Sequence, residues 1–270
     1  MVYDKMLHPD IWNDFFNGIS KDQYSIYYHA RNEDSFNLDP SFNAQRVETV
    51  PSNWGDMGQV RVQIQLLRYA LQDPQNQKFI YVSQSCIPLY NFTTFYDKIM
   101  SHPYTMLEII PNTLNLGGRY PRMTELLKNY KDEEIIKHSN WIVFIRSHAQ
   151  IMVDEENSII KKFEDVEEPI SSPDEGVFGV TLASKGLLSE VWNTVVAHSV
   201  WYTSTIHHYV YLSPYHIQTA RLSGALTMRK VVEDAIIEKS VYNLIREQVT
   251  LKDVLFSEEI VNDYKHRRYD

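Results

Sequence analysis

The stretch Phe79-Ile-Tyr-Val-Ser-Gln-Ser-Cys-Ile-Pro-Leu-Tyr-Asn-Phe92 contains the most informative change of pattern in the chain. Its apolar and aromatic start, from Lys78 to Ser83, is typical of a buried strand. After a turn that ends at Pro88, the residues from Phe92 to Met100 have helical character. This succession of strand, turn and helix predicts an α/β protein.

The segments on either side continue the alternation. Further strands are predicted at 24–29, 105–110 and 141–145, and helices around 11–16, at 57–71, after 145, and at 231–246. Ser172-Pro-Asp-Glu175 predicts another helix start, with Ser172 as N-cap, Pro173 as the first helical residue and acidic residues in the first turn.

The composition limits the function classes. With 43% hydrophobic and 23% charged residues over 270 positions, the chain can bury a substantial core. A net charge of −9 argues against a broad nucleic-acid-binding surface, although a single nucleotide needs only a few positive donors. The 18 Tyr and 5 Trp residues can stack on sugar rings or simply pack the core.

Cysteine usage and hydropathy predict the compartment. Cys86 is the one cysteine, so no intramolecular disulfide forms, which suits the cytoplasm or another reducing compartment. No apolar run reaches the roughly 18 residues of a spanning helix, and the first twenty residues lack a signal-peptide core. We therefore expect a soluble protein without a membrane span.

Several motifs, taken in order, resemble one family. They are Tyr24-Ser-Ile-Tyr-Tyr-His29, Trp54-Gly55, the 79–92 block, Gly118-Arg119-Tyr120, Ser139-Asn-Trp141, Ser172-Pro-Asp-Glu175, Leu226-Thr-Met-Arg-Lys230 and Leu244-Ile-Arg246. Their order and spacing resemble the core-2/I-branching β-1,6-N-acetylglucosaminyltransferases and the peptide O-xylosyltransferases. The last two motifs look like that family's final strands and basic pair. The resemblance covers nearly the whole chain, although each motif alone has low specificity.

The resemblance implies a GT-A-type nucleotide-sugar-binding fold, with a central mixed sheet flanked by helices in a single domain over residues 1–270. It also implies an inverting transfer of a sugar, GlcNAc or xylose, from a UDP-sugar donor to a carbohydrate or glycoconjugate acceptor. In that family a glutamate in the Ser-Pro-Asp-Glu block acts as the base, which is Glu175 here. The alternative for Glu175 is that it only complements a helix N-terminus.

Basic side chains replace a metal at the pyrophosphate in that family, so we expect metal independence and no cofactor. The sequence agrees in having no Asp-x-Asp motif, and its Ser83–Pro88 turn carries no carboxylate. His207, His208 and His216 show no regular ligand spacing, so no metal site is predicted there.

The binding residues follow from the same resemblance. The expected nucleotide-sugar ligands are Arg246, Arg229, Lys230, His29 and Ser83, and the expected acceptor ligands are Arg119, Tyr120, Trp141 and Asp174. Arg229 and Lys230 are alternatively solvated surface charges, and Trp141 is alternatively a core residue. Arg246-Glu247 departs from the basic pair or lysine of the family's last block.

Two other function classes compete with the enzyme. One is a catalytically inactive relative that only binds a nucleotide-sugar or a glycan. The other is a different nucleotide-using α/β enzyme, which the lack of a Gly-x-Gly-x-x-Gly fingerprint and of a P-loop disfavours. The sequence does not indicate the oligomeric state, the acceptor or the linkage.

Overall fold

The structure is a computed structural model that describes residues 5–31, 38–110, 123–202 and 205–249. The helices are α1 (Pro9–Phe16), α2 (Met57–Ala70), α3 (Phe92–Met100), α4 (Arg146–Asp154), α5 (Glu156–Glu164), α6 (Val177–Ser184), α7 (Pro214–Leu222) and α8 (Lys239–Arg246). The strands are β1 (Tyr27–Tyr28), β2 (Gln45–Arg46), β3 (Lys78–Ile80), β4 (Ile87–Pro88), β5 (Thr105–Ile110), β6 (Lys137–Ile145), β7 (Val191–Trp192), β8 (Ala197–His198), β9 (Trp201–Tyr202), β10 (Thr205–Ile206), β11 (Tyr209–Leu212), β12 (Thr227–Met228) and β13 (Val231–Ile237).

The largest sheet is mixed and has the order β3-β6-β5-β7. Strand β6 runs antiparallel to both β3 and β5, with Phe144 opposite Phe79 and Val143 opposite Met106, while β5 and β7 are parallel. The predicted α/β class is therefore confirmed.

Each face of this sheet packs against its own hydrophobic core. Trp141 and Val143 of β6 point into a first core that also holds α1 and Cys86. Ile142 and Phe144 point into a second core that also holds α2 and α6. Successive strand residues face opposite sides of a sheet, so β6 separates the two cores.

A smaller sheet of three strands joins the Ser83–Pro88 turn to the C-terminal part of the chain. Strand β12 pairs antiparallel with β4 and parallel with β8. The backbone N–H of Val231 donates to the carbonyl oxygen of Ser85 at 3.1 Å. These pairings hold the Ser83–Pro88 turn against the Arg229-Lys230 segment, although the two lie far apart in the sequence.

The prediction of one helix over 231–246 is wrong in its first half. Residues Val231–Ile237 form β13, which pairs in parallel with β11, and the helix α8 begins only at Lys239. The β-branched residues of this segment favour a strand once a partner strand is available. Leu244-Ile-Arg246, compared above with a final strand, lies in α8.

The helix start predicted at Ser172 is confirmed only as a short 3-10 helix, which has Ser172 at its N-cap position, Pro173 as its first residue and both acids in its first turn. Pro173–Glu175 form a 3-10 turn, and the α-helix α6 begins only at Val177. Ser172 has left-handed backbone angles, φ 58° and ψ 57°, and its side chain makes no capping hydrogen bond. Its backbone N–H donates instead to the carbonyl oxygen of Gly55, at 3.0 Å.

Candidate active site

The turn that carries Glu175 is fixed by its own backbone. The N–H of Glu175 donates to the carbonyl oxygen of Ser172, and that of Gly176 donates to Pro173, both at 3.0 Å. The turn contacts α2, β6 and α6. It therefore presents two neighbouring carboxylates from a supported position.

The two carboxylates of this turn lie in different surroundings. Asp174 is only 4% exposed, and its Oδ2 accepts a hydrogen bond from Asn140 Nδ2 at 3.0 Å. The Glu175 side chain is 18% exposed, and its Oε2 lies 3.7 Å from Nζ of Lys137, which is itself buried. A general base must be reached by its substrate, so Glu175 suits that role better than Asp174.

Lys137 supplies a positive charge directly beside Glu175. An ammonium group at this distance attracts the carboxylate of Glu175. It also restrains the direction in which the Glu175 side chain points. The carboxylate is thereby oriented, which a proton acceptor requires.

Arg229 brings a second positive charge to the same place. Its guanidinium lies over the Trp141 ring, 4.4 Å from the ring centroid. Burial lowers the pKa of Arg229, and the neighbouring Cys86, Asp174 and Glu175 oppose that shift. Since an arginine stays protonated in proteins, this is a fixed, largely desolvated cation.

Lys230 and the Ser83–Cys86 turn adjoin Arg229. Burial and the charge of Arg229 lower the pKa of the half-buried Lys230, while Cys86 acts in the opposite direction. Ser83 Oγ lies 3.2 Å from both Cys86 Sγ and Ser85 Oγ, so the turn is held together by its own side chains. Two cations thus face a turn that contains no acidic residue.

The structure assembles six of the residues predicted from the sequence: Glu175, Asp174, Trp141, Arg229, Lys230 and Ser83. The buried state of Trp141, 8% exposed beneath Arg229, favours the packing alternative for its indole. Arg119 and Tyr120 lie outside the described residues.

His29 and Arg246 have other neighbours. His29 is buried, and its Nε2 accepts a hydrogen bond from the Val50 N–H at 2.9 Å. Burial is the largest cause that lowers the pKa of His29, which favours the neutral ring at pH 7. Arg246 pairs with Asp14 of α1 and lines a cavity between α1, α8 and the start of α3. Its role as a nucleotide ligand stays a prediction.

The functional positions of Lys137 and Asn140 were not predicted, although Asn140 belongs to the Ser139-Asn-Trp141 motif. The strand was predicted to begin at Trp141, whereas β6 begins at Lys137, so the polar run Lys137-His-Ser-Asn140 was not assigned to the sheet. This run pairs with the apolar end of β5, where Ile110 lies opposite Lys137. Only that pairing, which the folded chain creates, identifies the run as part of the strand.

Two general features of the described residues bear on the site. No group of three or more His, Cys, Asp or Glu side chains in the described ranges is placed to hold a metal ion. No described helix has both the length and the apolar content needed to cross a bilayer.

Comparison with known proteins identifies the family. The sequence profile of the core-2/I-branching enzymes matches residues 4–223. The chain belongs to the core-2/I-branching enzyme family. A curated relative, "Glycosyltransferase BC10" of Oryza sativa subsp. japonica, is 31% identical over 71% of this chain and 53% of its own length. The chain therefore spans about half the length of that relative.

Membership of the core-2/I-branching family confirms the resemblance seen in the sequence motifs. The matched region contains the Glu175 turn, Lys137 and Trp141, whereas Arg229 and Lys230 lie just beyond it. The relative is itself named as a glycosyltransferase.

Proposed function

We propose that this chain is an inverting, metal-independent glycosyltransferase of a GT-A-type fold, which moves GlcNAc or xylose from a UDP-sugar to a carbohydrate or glycoconjugate hydroxyl. Glu175 is the general base, and Arg229 and Lys230 bind the diphosphate. The observation that carries the proposal is the cluster of a partly exposed carboxylate with buried Lys137 and partly buried Arg229.

The reaction needs a proton acceptor on one side of the anomeric carbon and positive charge on the other. The Glu175 carboxylate takes the proton of the acceptor hydroxyl as its oxygen bonds to the anomeric carbon. The bond from that carbon to the diphosphate oxygen breaks, and UDP leaves with the electron pair. Attack on the face opposite the leaving group inverts the configuration.

The diphosphate site is proposed at the Ser83–Cys86 turn. Arg229 offers a planar fork that can hold two phosphate oxygens, and Lys230 adds a point charge. Both cations are partly desolvated, which strengthens their interaction with an anion compared with exposed side chains.

Glu175→Gln tests the assignment of the base. Glutamine retains the size of the side chain but cannot accept the proton, so turnover should fall by roughly 10²–10⁴-fold. UDP affinity and the melting temperature should barely change. The measurements are transfer to acceptor, UDP calorimetry and a thermal melt.

Asp174→Asn is the matched control for that variant. Asp174 is buried and bonded to Asn140, so its amide should cost less turnover than Glu175→Gln. If Glu175→Gln folds normally and retains near-full transfer, the base lies elsewhere.

One further assay identifies the donor sugar and distinguishes an enzyme from an inactive binding module. UDP release should be followed with UDP-GlcNAc, UDP-xylose, UDP-glucose and UDP-galactose, with and without acceptor glycosides. Release from one donor identifies the transferred sugar. Binding of UDP without release from any donor would instead favour the inactive binding module.

A further inference from the structure

The Trp54-Gly55 turn is attached directly to the turn that carries Glu175. The Gly55 carbonyl oxygen accepts the backbone hydrogen bond of Ser172 at 3.0 Å, and a Cβ on Gly55 would lie 3.8 Å from Ser172 Oγ. Both residues have left-handed backbone angles, with φ 78° at Gly55 and 58° at Ser172. Two sharp turns are thus joined back to back.

The Trp54 turn is held firmly on its other side as well. Asp56 is the N-cap of α2 and accepts hydrogen bonds from the N–H groups of Gly58, at 2.9 Å, and Asn53, at 3.1 Å. The N–H of Gly55 donates to Gln59 Oε1 at 2.7 Å. The backbone on each side of Trp54 is therefore fixed to α2, and α2 is fixed to the Glu175 turn.

The indole carried by this fixed turn is exposed. Trp54 is 75% exposed, more than any other large hydrophobic residue in the described ranges, and it belongs to neither hydrophobic core. A rigid backbone that holds a large aromatic side chain in water gains no packing energy from it. The apolar face of the ring and its N–H are open to an external ligand.

The position of Trp54 indicates the kind of ligand. The backbone links through Gly55 and Ser172 keep the Cα atoms of Trp54 and Glu175 within roughly 18 Å of each other. A short oligosaccharide spans that distance. The apolar face of a pyranose can stack on an indole, whose N–H can also donate to a hydroxyl.

We propose that Trp54 is a stacking platform for a sugar ring of the acceptor, held on the same rigid unit as the base. This inference rests on the proposed function, because it assumes that the acceptor hydroxyl is delivered to Glu175. Trp54 sets acceptor affinity and the direction of approach, and it takes no part in proton transfer.

The experiment compares Trp54→Ala and Trp54→Phe with the wild-type chain. Loss of one aromatic stack should raise the acceptor KM about tenfold in Trp54→Ala, while Trp54→Phe retains most of the affinity. The donor KM, the acceptor-independent hydrolysis of the UDP-sugar and the melting temperature should not change, because the indole lies outside the core.

Tyr104→Ala is the control for loss of an exposed aromatic residue. Tyr104 is 42% exposed and precedes β5, at the end of the sheet opposite to Lys137. Its removal should leave the acceptor KM unchanged. An unchanged acceptor KM in Trp54→Ala, in an enzyme that turns over normally, would overturn the platform and leave the proposed function intact.

A binding measurement makes the test independent of turnover. Saturation-transfer NMR with methyl β-galactoside, methyl β-xyloside and methyl α-N-acetylgalactosaminide should show contact with the wild-type chain and a weaker signal with Trp54→Ala. Equal signals from both proteins, or none from the wild type with any of the three glycosides, would overturn the inference. Failure of all UDP-sugar turnover would overturn the proposed function instead.

Discussion

At the scale of single residues, the positive charges of the site separate into two places. Arg229 and Lys230 adjoin the Glu175 turn, whereas Arg246 pairs with Asp14 on α1. The carboxylate of Asp14 offsets the Arg246 charge and makes the cavity there less suited to a phosphate. The neighbours of Arg229 therefore make it the stronger candidate for the diphosphate ligand.

Paired substitutions separate the two arginines. A charge-assisted contact to phosphate contributes roughly 1.5–3 kcal/mol, so Arg229→Met should weaken UDP binding by about one to two orders of magnitude. Arg246→Ala should have a much smaller effect. Calorimetry with UDP measures both, and Lys230→Met serves as a second variant if Arg229→Met does not fold.

The opposite order of the two losses in UDP affinity would place the diphosphate site at α8. Specifically, a folded Arg229→Met variant with unchanged UDP affinity, together with a large loss in Arg246→Ala, would show that Arg246 is the ligand.

A further expectation at the residue scale concerns Cys86. This buried thiol and the two serines before it occupy the turn where a metal-dependent enzyme would need carboxylates. We therefore expect transfer and UDP binding to persist in excess EDTA. A loss of most activity that manganese restores would contradict this expectation.

At the scale of elements, the first turn of α2 is tightly enclosed. A Cβ on Gly58 would lie 2.6 Å from the Pro51 carbonyl oxygen and 2.7 Å from Ser52 Cα, and backbone atoms cannot easily move aside. Gly58→Ala should therefore lower the free energy of unfolding by about 1–3 kcal/mol, despite the better helix propensity of alanine. Urea unfolding measures the change.

The same substitution at Gly176 is the control for Gly58→Ala. A Cβ there would meet the terminal methyl group of Met123 at 2.5 Å, and that flexible side chain can turn away. Gly176→Ala should cost less stability than Gly58→Ala. Equal losses would mean that the backbone of residues 51–52 yields as readily as a methionine side chain.

Elements with a clear apolar period could be predicted from the sequence. The bounds of α3 and β5 agree with prediction, and α2 differs by one residue, because each of them buries a regular pattern. The start of β6 and the strand β13 could not be predicted. Polar residues interrupt the apolar pattern of both segments, and only their partner strands identify them as strands.

The candidate site could be predicted only in part, for a related reason. Glu175, Arg229 and Lys230 belong to motifs that the sequence displays. Lys137 acts through a distance to Glu175 that only the folded sheet creates, and the link between Gly55 and Ser172 joins segments more than a hundred residues apart.

At the scale of the whole molecule, burial of histidine makes stability depend on pH. Burial lowers the pKa of His138 to about 4, with hydrogen bonds to backbone carbonyl groups opposing the shift and Lys137 reinforcing it. The unfolded chain, with a histidine pKa near 6.5, binds more protons than the folded chain between pH 4 and 6.5. Folded stability must therefore fall as the pH falls through that window.

The expected loss from His138 alone is about 2 kcal/mol between pH 7 and pH 5. Urea unfolding at the two pH values measures it, and His138→Gln should reduce the difference by that amount. His8, His29, His148 and His216 also have lowered pKa values, mainly through burial, so part of the slope should persist. A slope that is identical in His138→Gln would show that this ring does not titrate differently in the two states.

The alternation of β6 between two cores affects which substitutions should occur together during evolution. Trp141 and Val143 pack in the first core, while Ile142 and Phe144 pack in the second. Among descendants of this protein, substitutions at 141 and 143 should therefore co-vary with positions such as Cys86 and Met228. Substitutions at 142 and 144 should co-vary with residues of α2 and α6. Neighbouring positions of one strand would therefore belong to two independent groups of co-varying residues.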